Sequence, residues 1–177
     1  MIDFGYGAFL LPVDSTDLEL MRQWRNDFRI WRWCRQSDLI SDKMQLRWFE
    51  SQDLDDTIHM YTVNTQAGKV GVCGLTSHDR HNRIAEFSLY IDPGTQGSGV
   101  GAMALKTLLS HGFQNLNLHS IWGESFSGNP AIKMFKEVGF KHDGSRRDAY
   151  FKEGKYVDAE LYSILEKEWI MEKEWKV

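Results

Sequence analysis

The chain has 177 residues, of which 42% are hydrophobic, and carries a formal net charge of −4 with an isoelectric point near 5.9. That length fits one domain over residues 1–177 with a sizeable core, and the acidic balance argues against a general nucleic-acid binder. No apolar run is long enough to span a membrane, and the N-terminus lacks the features of a signal peptide. Because two isolated cysteines, Cys34 and Cys73, make no disulfide framework, we expect a cytoplasmic protein.

The first half of the chain predicts two helices and three strands. Asp14 or Ser15 can cap a first helix that runs to about Trp24, and Ser41 can open a second one. The apolar residues of that second helix are Met44, Leu46, Trp48 and Phe49. The other predicted elements are a strand over 9–13, an irregular segment over 27–39, and strands over 58–64 and 69–77 that are joined by a hairpin turn.

The second half alternates strands and helices. In the strand over 85–91, Glu86, Ser88 and Tyr90 share one face because side chains alternate along a strand. The later elements are a helix over 100–113, a strand over 119–126, a helix from Asn129-Pro130 to just before Gly139, strands over 139–150 and 156–165, and a helical tail over 166–177. This order predicts a mixed-sheet α/β or α+β domain.

A glycine-rich loop over residues 92–102 joins the 85–91 strand to the following helix. Gly97, Gly99 and Gly101 leave backbone N–H groups uncovered by side chains. At a helix start these N–H groups are unpaired within the helix and carry its positive dipole end. The loop therefore predicts a binding site for a phosphate or pyrophosphate group.

Other interpretations of this loop fit the sequence less well. A turn without a ligand would bear the entropic cost of three glycines for no gain. Gly97, Gly99 and Ala102 satisfy the dinucleotide pattern G-x-G-x-x-G/A, with Glu124 at about the expected distance, but the loop follows several antiparallel-looking strands. A P-loop (Walker A motif) is excluded because its G-K-[ST] ending is missing.

Three segments together resemble the GNAT acetyltransferase superfamily. Gln96-Gly97-Ser98-Gly99-Val100-Gly101-Ala102 resembles its pyrophosphate loop, residues 85–93 its cofactor-binding strand, and residues 131–140 its second conserved helix and turn. Each segment alone is weakly specific, but their order and spacing agree over roughly residues 69–162. Trp24-Arg25-Asn26 also resembles members that acetylate nucleotide-linked amino sugars, while residues 81–93 are similar to spermidine and ribosomal-protein N-terminal acetyltransferases.

The resemblance implies a GNAT fold and acetyl-CoA as the acyl donor, with no metal. The fold would hold a mixed sheet of six to seven strands, about four helices and a short C-terminal helix. Two strands would separate to admit the pantetheine of the cofactor. The implied cofactor-binding residues are Leu89, Tyr90, Ile91, Gln96, Gly97, Ser98, Gly99, Val100, Gly101, Ala102 and Asn129.

The implied chemistry is attack of an amine on the thioester. A lysine-like amine has a pKa of roughly 10, so it must lose a proton, and a general base is useful. Glu86 is the candidate base because it lies beside the implied thioester site. The alternative is a structural carboxylate paired with Arg80 or Arg83.

Two positions depart from the family pattern. Gly128 stands where many members carry Asn, so that Asn129 either replaces the cofactor contact or only caps the helix. Phe135 stands where many members carry the Tyr that protonates the thiolate. Ser127, Tyr90 or water are the replacements that the sequence offers. A thiolate leaves readily, since a free thiol has a pKa near ~8.5.

The sequence says least about which amine accepts the acetyl group. Arg25, Arg29 or Arg32 could meet an anionic substrate group, whereas Asp53, Asp55 and Asp56 could attract a polyamine. His78 and His81 lack partners typical of a metal site. The sequence thus predicts an N-acetyltransferase for a primary amine on a protein N-terminus, a polyamine or an amino sugar. A non-catalytic CoA-binding module is the alternative, and a homodimer stays open.

Overall fold

The computed structural model describes residues 1–52 and 54–169, which form a seven-stranded sheet with helices packed on both faces. The strand order is β1-β2-β3-β4-β5-β7-β6, and within the described residues only β4 and β5 are parallel neighbours. The strands are β1 (Phe9–Pro12), β2 (His59–Thr65), β3 (Gly68–Asp79), β4 (Ile84–Ile91), β5 (Ser120–Phe126), β6 (Lys141–Lys152) and β7 (Lys155–Leu165).

Five helices connect or flank these strands. They are α1 (Leu18–Asn26), α2 (Phe28–Trp31), α3 (Asp42–Gln52), α4 (Val100–Gln114) and α5 (Ala131–Val138), with a 3-10 turn over Ser15–Asp17 before α1. The predicted cap at Asp14 is confirmed, since its carboxylate accepts a hydrogen bond from the Thr16 N–H at 3.0 Å. Gly139, at a φ of 109°, ends α5 as predicted. No helix among the described residues is long and apolar enough to cross a membrane.

The predicted element order and mixed sheet are confirmed, with three local differences. The segment predicted to be irregular contains the short helix α2, whose start is capped by the Asp27 carboxylate. On α3 the predicted apolar residues Met44 and Leu46 are almost half exposed, whereas Gln45 is buried. Residues 166–169 form a helical turn, and the rest of the predicted tail lies outside the described residues.

The two faces of the sheet carry separate apolar clusters. The larger cluster lies beneath α4 and α5 and includes the fully buried Leu75, Leu105 and Ile121. The smaller one lies beneath α1 and α2, where Met21 and Trp24 pack with side chains of β3 and β4. Each fully buried aliphatic side chain contributes about 1.5–3 kcal/mol, so both helical layers are anchored to the sheet.

β4 and β5 pair only at their beginnings. The last paired residues are Glu86 and Trp122, after which β4 follows β3 as far as Ile91 and β5 follows β7 as far as Phe126. The two strands therefore separate in the middle of the sheet. The separation leaves backbone N–H and C=O groups on their facing edges available to a ligand.

Gly123 allows a phenyl ring to sit where the strands begin to separate. A Cβ on Gly123 would lie 2.4 Å from the ring of Phe87, which packs edge-on against Phe135 with centroids 5.1 Å apart. That approach is far below van der Waals contact. The ring and the glycine therefore fit only as a pair.

We expect Gly123→Ala to destabilise the fold by about 1–3 kcal/mol, because the added methyl forces the Phe87 ring out of its packed position. Urea unfolding measures this cost. In a Phe87→Leu background, Gly123→Ala should lower the free energy of unfolding distinctly less, since leucine leaves room for the added methyl group. Equal costs in the two backgrounds would contradict the proposed clash.

Candidate active site

A cavity of about 600 Å³ occupies the gap between β4 and β5. On one face of the sheet it is lined by α1, α3 and the segment between α2 and α3, and on the other face by α5. The sheet residues that line it include Glu86, Ser88 and Tyr90 on β4 and Glu124 and Ser125 on β5. The cavity thus runs through the sheet and connects two chemically different halves.

Two buried carboxylates lie at the narrow end of the gap. Glu86 is 7% exposed, and the Glu124 side chain is 6% exposed. Arg35 donates a hydrogen bond to Glu86, and its Nε lies 3.5 Å from a carboxylate oxygen of Glu124. Burial opposes the charge of Arg35, but attraction by both carboxylates outweighs it and raises the pKa of the guanidinium. Arg35 therefore bridges the two carboxylates.

The alternative pairing of Glu86 with Arg80 or Arg83 is wrong. Arg80 lies 2.9 Å from Asp56, and Arg83 donates to Asn117 and lies 3.4 Å from Glu166. The segment predicted to be irregular supplies the true partner, Arg35, which is distant from Glu86 in sequence. No local pattern relates the two residues.

Glu124 has further partners on β6. Arg146 lies 2.6 Å from one of its oxygens, and the Tyr150 hydroxyl donates to the other. Burial and the bond to Glu124 raise the pKa of Tyr150, with Arg146 acting in the opposite direction. The sequence suggests for Glu124 only the ribose-binding position of a dinucleotide site, and no sequence pattern indicates its position beside Glu86.

The glycine loop has the open backbone that its sequence predicts. Gly97 and Gly99 have φ values of 82° and 85°, and a Cβ on either would meet nothing within 4 Å. Gln96 does not cover the loop, since its amide donates to the Ile91 carbonyl at 3.1 Å. Among the described residues, no side chain caps the start of α4 at Gly99. The backbone at Gly97 and Gly99 is therefore accessible to an anion, whereas the N–H groups of Ser98 and Ala102 donate to the Thr95 and Gly99 carbonyls.

Gly101, the third glycine of the loop, serves helix packing rather than an open backbone. A Cβ on Gly101 would lie 3.0 Å from the sulfur of Met134 on α5 and 3.5 Å from Ile91. Gly101 thus allows α4 and α5 to pack closely beside the end of β4. This packing places the loop and the start of α5 next to each other at the wide end of the gap.

Asn129 caps α5 and also holds a residue of the cavity. Its Oδ1 accepts from the Ala131 N–H at 3.0 Å, and its Nδ2 donates to the Ser125 hydroxyl oxygen at 2.8 Å. The capping alternative is therefore confirmed, and the amide is fixed in orientation. Gly128 precedes it at a φ of 84°.

The two side chains considered as proton donors, and the Phe135 that they would replace, lie in different surroundings. Phe135 lines the cavity and is buried among the rings of Phe87, Phe140 and Tyr162. Tyr90 also lines the cavity, with the Arg25 guanidinium 5.4 Å from its ring centroid, and burial raises the pKa of its hydroxyl. Ser127 instead is exposed and does not line the cavity.

The predicted acceptor-binding residues are only partly near the cavity. Arg25 lines it, whereas Arg29 pairs with Asp27 at 2.7 Å and Arg32 lies 3.3 Å from Glu153. Of the three aspartates considered for polyamine attraction, Asp55 accepts hydrogen bonds from Thr57, Asp56 pairs with Arg80, and Asp53 lies outside the described residues. The aspartates therefore do not line the cavity within the described part of the chain.

The histidines form no metal centre. His78 contacts the ring of His59 at 3.1 Å between nitrogens, while His81 is exposed. Across residues 1–52 and 54–169, no group of three or more His, Cys, Asp or Glu side chains is placed to hold a metal ion. Cys34 and Cys73 are both free thiols, and Cys73 is fully buried as a small apolar side chain.

Comparison with known proteins agrees with this geometry. Residues 8–141 match the family model described as an acetyltransferase (GNAT) domain. The chain belongs to the GNAT acetyltransferase family. It is an N-acetyltransferase, and acetyl-CoA is its acyl donor.

Curated relatives align with much of this chain, and a solved structure shares its fold. A spermidine N(1)-acetyltransferase of Escherichia coli is 24% identical over 95% of this chain and 91% of its own length. One from Vibrio cholerae is 30% identical over 63% of this chain and 65% of its own. The crystal structure of spermidine N-acetyltransferase from Vibrio cholerae in complex with CoA and spermine superposes with a TM-score of 0.88 at 23% identity, covering 93% of this chain and 98% of that one.

The binding groups of the site also match the chemical groups of CoA. CoA has a pyrophosphate and a long amide-containing arm, which require anion-binding N–H groups next to a strand-like slot. The loop at Gly97 and Gly99 supplies the first, and the separated edges of β4 and β5 supply the second. The dinucleotide interpretation is wrong, because the described sheet has a single parallel pair and lacks a doubly wound half.

We expect Gly99→Val to weaken CoA binding by roughly tenfold or more, because a branched side chain at this φ covers the loop N–H groups and strains the backbone. Isothermal titration with CoA measures the loss. Gly68→Val is the matched control, since Gly68 also has a positive φ and open space but lies in the β2–β3 turn. Equal CoA affinities for the two variants would contradict the assignment of the loop.

Proposed function

We propose that this N-acetyltransferase moves the acetyl group to a primary amine by direct attack on the thioester, with Glu86 as the general base. The observation that supports the role is the place of Glu86. It is the last residue of β4 paired with β5, it is buried, and it lines the cavity at the point where the strands separate. A carboxylate there lies between the acceptor half of the cavity and the slot for the donor.

The acceptor would enter from the face covered by α1 and α3. Trp33, Trp48 and Tyr90 line that half, and such aromatic faces attract cationic amines. An ammonium group cannot attack, so Glu86 would take its proton directly or through water. Arg35 holds the Glu86 carboxylate in place. A cationic acceptor would then share or displace this guanidinium.

The donor would lie on the opposite half. Backbone groups of the segment Leu89, Tyr90 and Ile91 that are not paired with β3 would bind the amide-containing arm. The loop over residues 96–102 would donate N–H groups to the pyrophosphate. The side chain of Asn129 is already engaged by Ala131 and Ser125, so its contribution would be to order the start of α5 rather than to bind CoA through its amide.

A polyamine is the first candidate acceptor, because the curated relatives that align with this chain include spermidine N(1)-acetyltransferases. The cavity also supports a second candidate. The charged residues that line it are Arg25, Arg35, Glu86 and Glu124, so the positive and negative formal charges are equal in number. Arg25 lines the cavity next to Tyr90 and would suit an acceptor that carries an anionic group beside its amine, such as a peptide N-terminus with acidic residues.

We expect Glu86→Gln to lower kcat by about 100-fold or more while leaving CoA affinity within about twofold, because the amide cannot accept the proton but fills the same space. Steady-state kinetics and CoA titration measure the two effects. Glu50→Gln, an exposed glutamate on α3, is the matched control and should leave both quantities unchanged. Unaltered turnover of the Glu86 variant would remove Glu86 from the mechanism.

We expect a thiol-release assay with acetyl-CoA across an amine panel to show turnover, with spermidine and spermine preferred over an amino sugar. The panel also contains an acidic N-terminal peptide, which tests the second candidate. If the peptide is preferred, Arg25→Gln should reduce its kcat/KM and leave that of spermidine unaffected. Tight CoA binding without release on any amine would contradict the proposed transfer.

A further inference from the structure

We propose that the Ser125 hydroxyl is a catalytic hydrogen-bond donor to the leaving sulfur, in the place of the phenol that Phe135 lacks. This inference rests on the proposed acetyl transfer. It concerns a residue on β5 that no motif singled out. Three observations carry it: the position of Ser125 in the gap, the fixed orientation of Asn129, and the exclusion of the neighbouring hydroxyls.

Ser125 lies across the gap from the donor half of β4. Glu86 pairs with Trp122, and three residues further along each strand lie Leu89 and Ser125. These two positions are on facing edges of the separated strands, and both line the cavity. Ser125 is only 7% exposed, so its hydroxyl acts in surroundings from which bulk water is largely excluded.

Asn129 fixes which way the Ser125 hydroxyl can point. The Asn129 oxygen is occupied by the Ala131 N–H, which leaves its NH₂ group to face Ser125. The Ser125 oxygen therefore accepts from Asn129. Its own proton donates to no atom in the described part of the chain. A buried donor that lines the cavity is thus available to a ligand.

Neighbouring hydroxyls do not offer the same donor. Ser127 is exposed and does not line the cavity. Thr76 donates to the Glu86 carbonyl at 3.4 Å. Ser88 and Tyr90 lie on the Glu86 face of β4, away from α5. Among the described residues, Ser125 is the hydroxyl of the cavity that faces the start of α5 beside Phe135.

The step balances without another reactant. Attack forms the bond between the amine nitrogen and the carbonyl carbon, and collapse breaks the bond between carbon and sulfur with its electron pair on sulfur. Ser125 donates a hydrogen bond to that developing negative charge and keeps its proton, because an alcohol is a much weaker acid than a thiol. The thiolate then takes its proton from water, and the proton from the amine leaves through Glu86.

The pKa of the bound CoA thiol tests this role without acetyl transfer. A donor to sulfur stabilises the thiolate, so the bound pKa should fall below the free value of about 8.5. CoA affinity should therefore rise with pH between the two pKa values, relative to desulfo-CoA, which lacks the thiol. In Ser125→Ala the gain in CoA affinity over this pH range should be about tenfold smaller, because the pKa of the bound thiol rises by about one unit.

Kinetics give a second readout. Ser125→Ala should lower kcat with acetyl-CoA by roughly 10- to 100-fold at nearly constant KM, as expected for a hydrogen bond to a developing charge. Ser125→Thr keeps the hydroxyl and should retain most of the activity. Adding Phe135→Tyr to Ser125→Ala should recover part of the loss, because the phenol supplies a new donor lining the same cavity.

Two further variants separate this role from a structural one. Asn129→Asp keeps an oxygen to cap α5 but accepts the Ser125 proton, so it should raise the bound thiol pKa as Ser125→Ala does. Ser127→Ala should leave that pKa unchanged. The inference is overturned if Ser125→Ala binds CoA and desulfo-CoA with the wild-type pH dependence. This titration stays informative even if Glu86→Gln shows that the proposed base is wrong.

Discussion

The separation of β4 from β5 after the Glu86–Trp122 pair is the constraint on which the rest of the structure depends. Two strands that stop pairing inside a sheet leave unpaired N–H and C=O groups, which are costly to bury without partners. The fold tolerates this because β3 and β7 hold the outer edges of the two strands. An amide-containing ligand can then complete the sheet, and the site is built from backbone rather than from a particular set of side chains.

The charges at the narrow end of the gap follow from the same geometry. Facing strands that begin to diverge bring Glu86 and Glu124 onto one buried face, and a buried carboxylate such as Glu86 requires a cationic partner. Arg35 provides it from a partly exposed segment between α2 and α3. Acceptor binding and the proposed base are therefore electrostatically linked, since an amine that approaches Glu86 meets this guanidinium.

The donor side shows how packing and chemistry divide between neighbouring residues. Phe135 contributes a ring to an aromatic cluster with Phe87 and Phe140, and it donates no proton. Ser125 contributes little volume but carries a hydroxyl whose orientation Asn129 sets. In the proposed reaction, packing and hydrogen-bond donation to sulfur would thus fall to two separate residues. This division agrees with a reaction in which the thiolate is already a tolerable leaving group.

Local patterns predicted the elements well because their causes are local. Alternation along residues 85–91, the cap at Asp14 and the stop at Gly139 each depend on a few neighbouring residues. The glycine loop was also predictable, since glycine tolerates the positive φ that the backbone adopts at Gly97 and Gly99. The exposed apolar residues of α3 were not, because burial depends on what packs against a helix rather than on its own period.

The sequence by itself determined the order of strands and helices, the open glycine loop and the placement of the Glu86 carboxylate on β4. Only the tertiary structure decided what surrounds that carboxylate. Arg35, Glu124 and Ser125 reach the gap from segments far apart in the chain, and such contacts leave no periodic or motif-like trace. Register and side-chain packing fix these distances, and neither can be deduced from the spacing of residues along one chain.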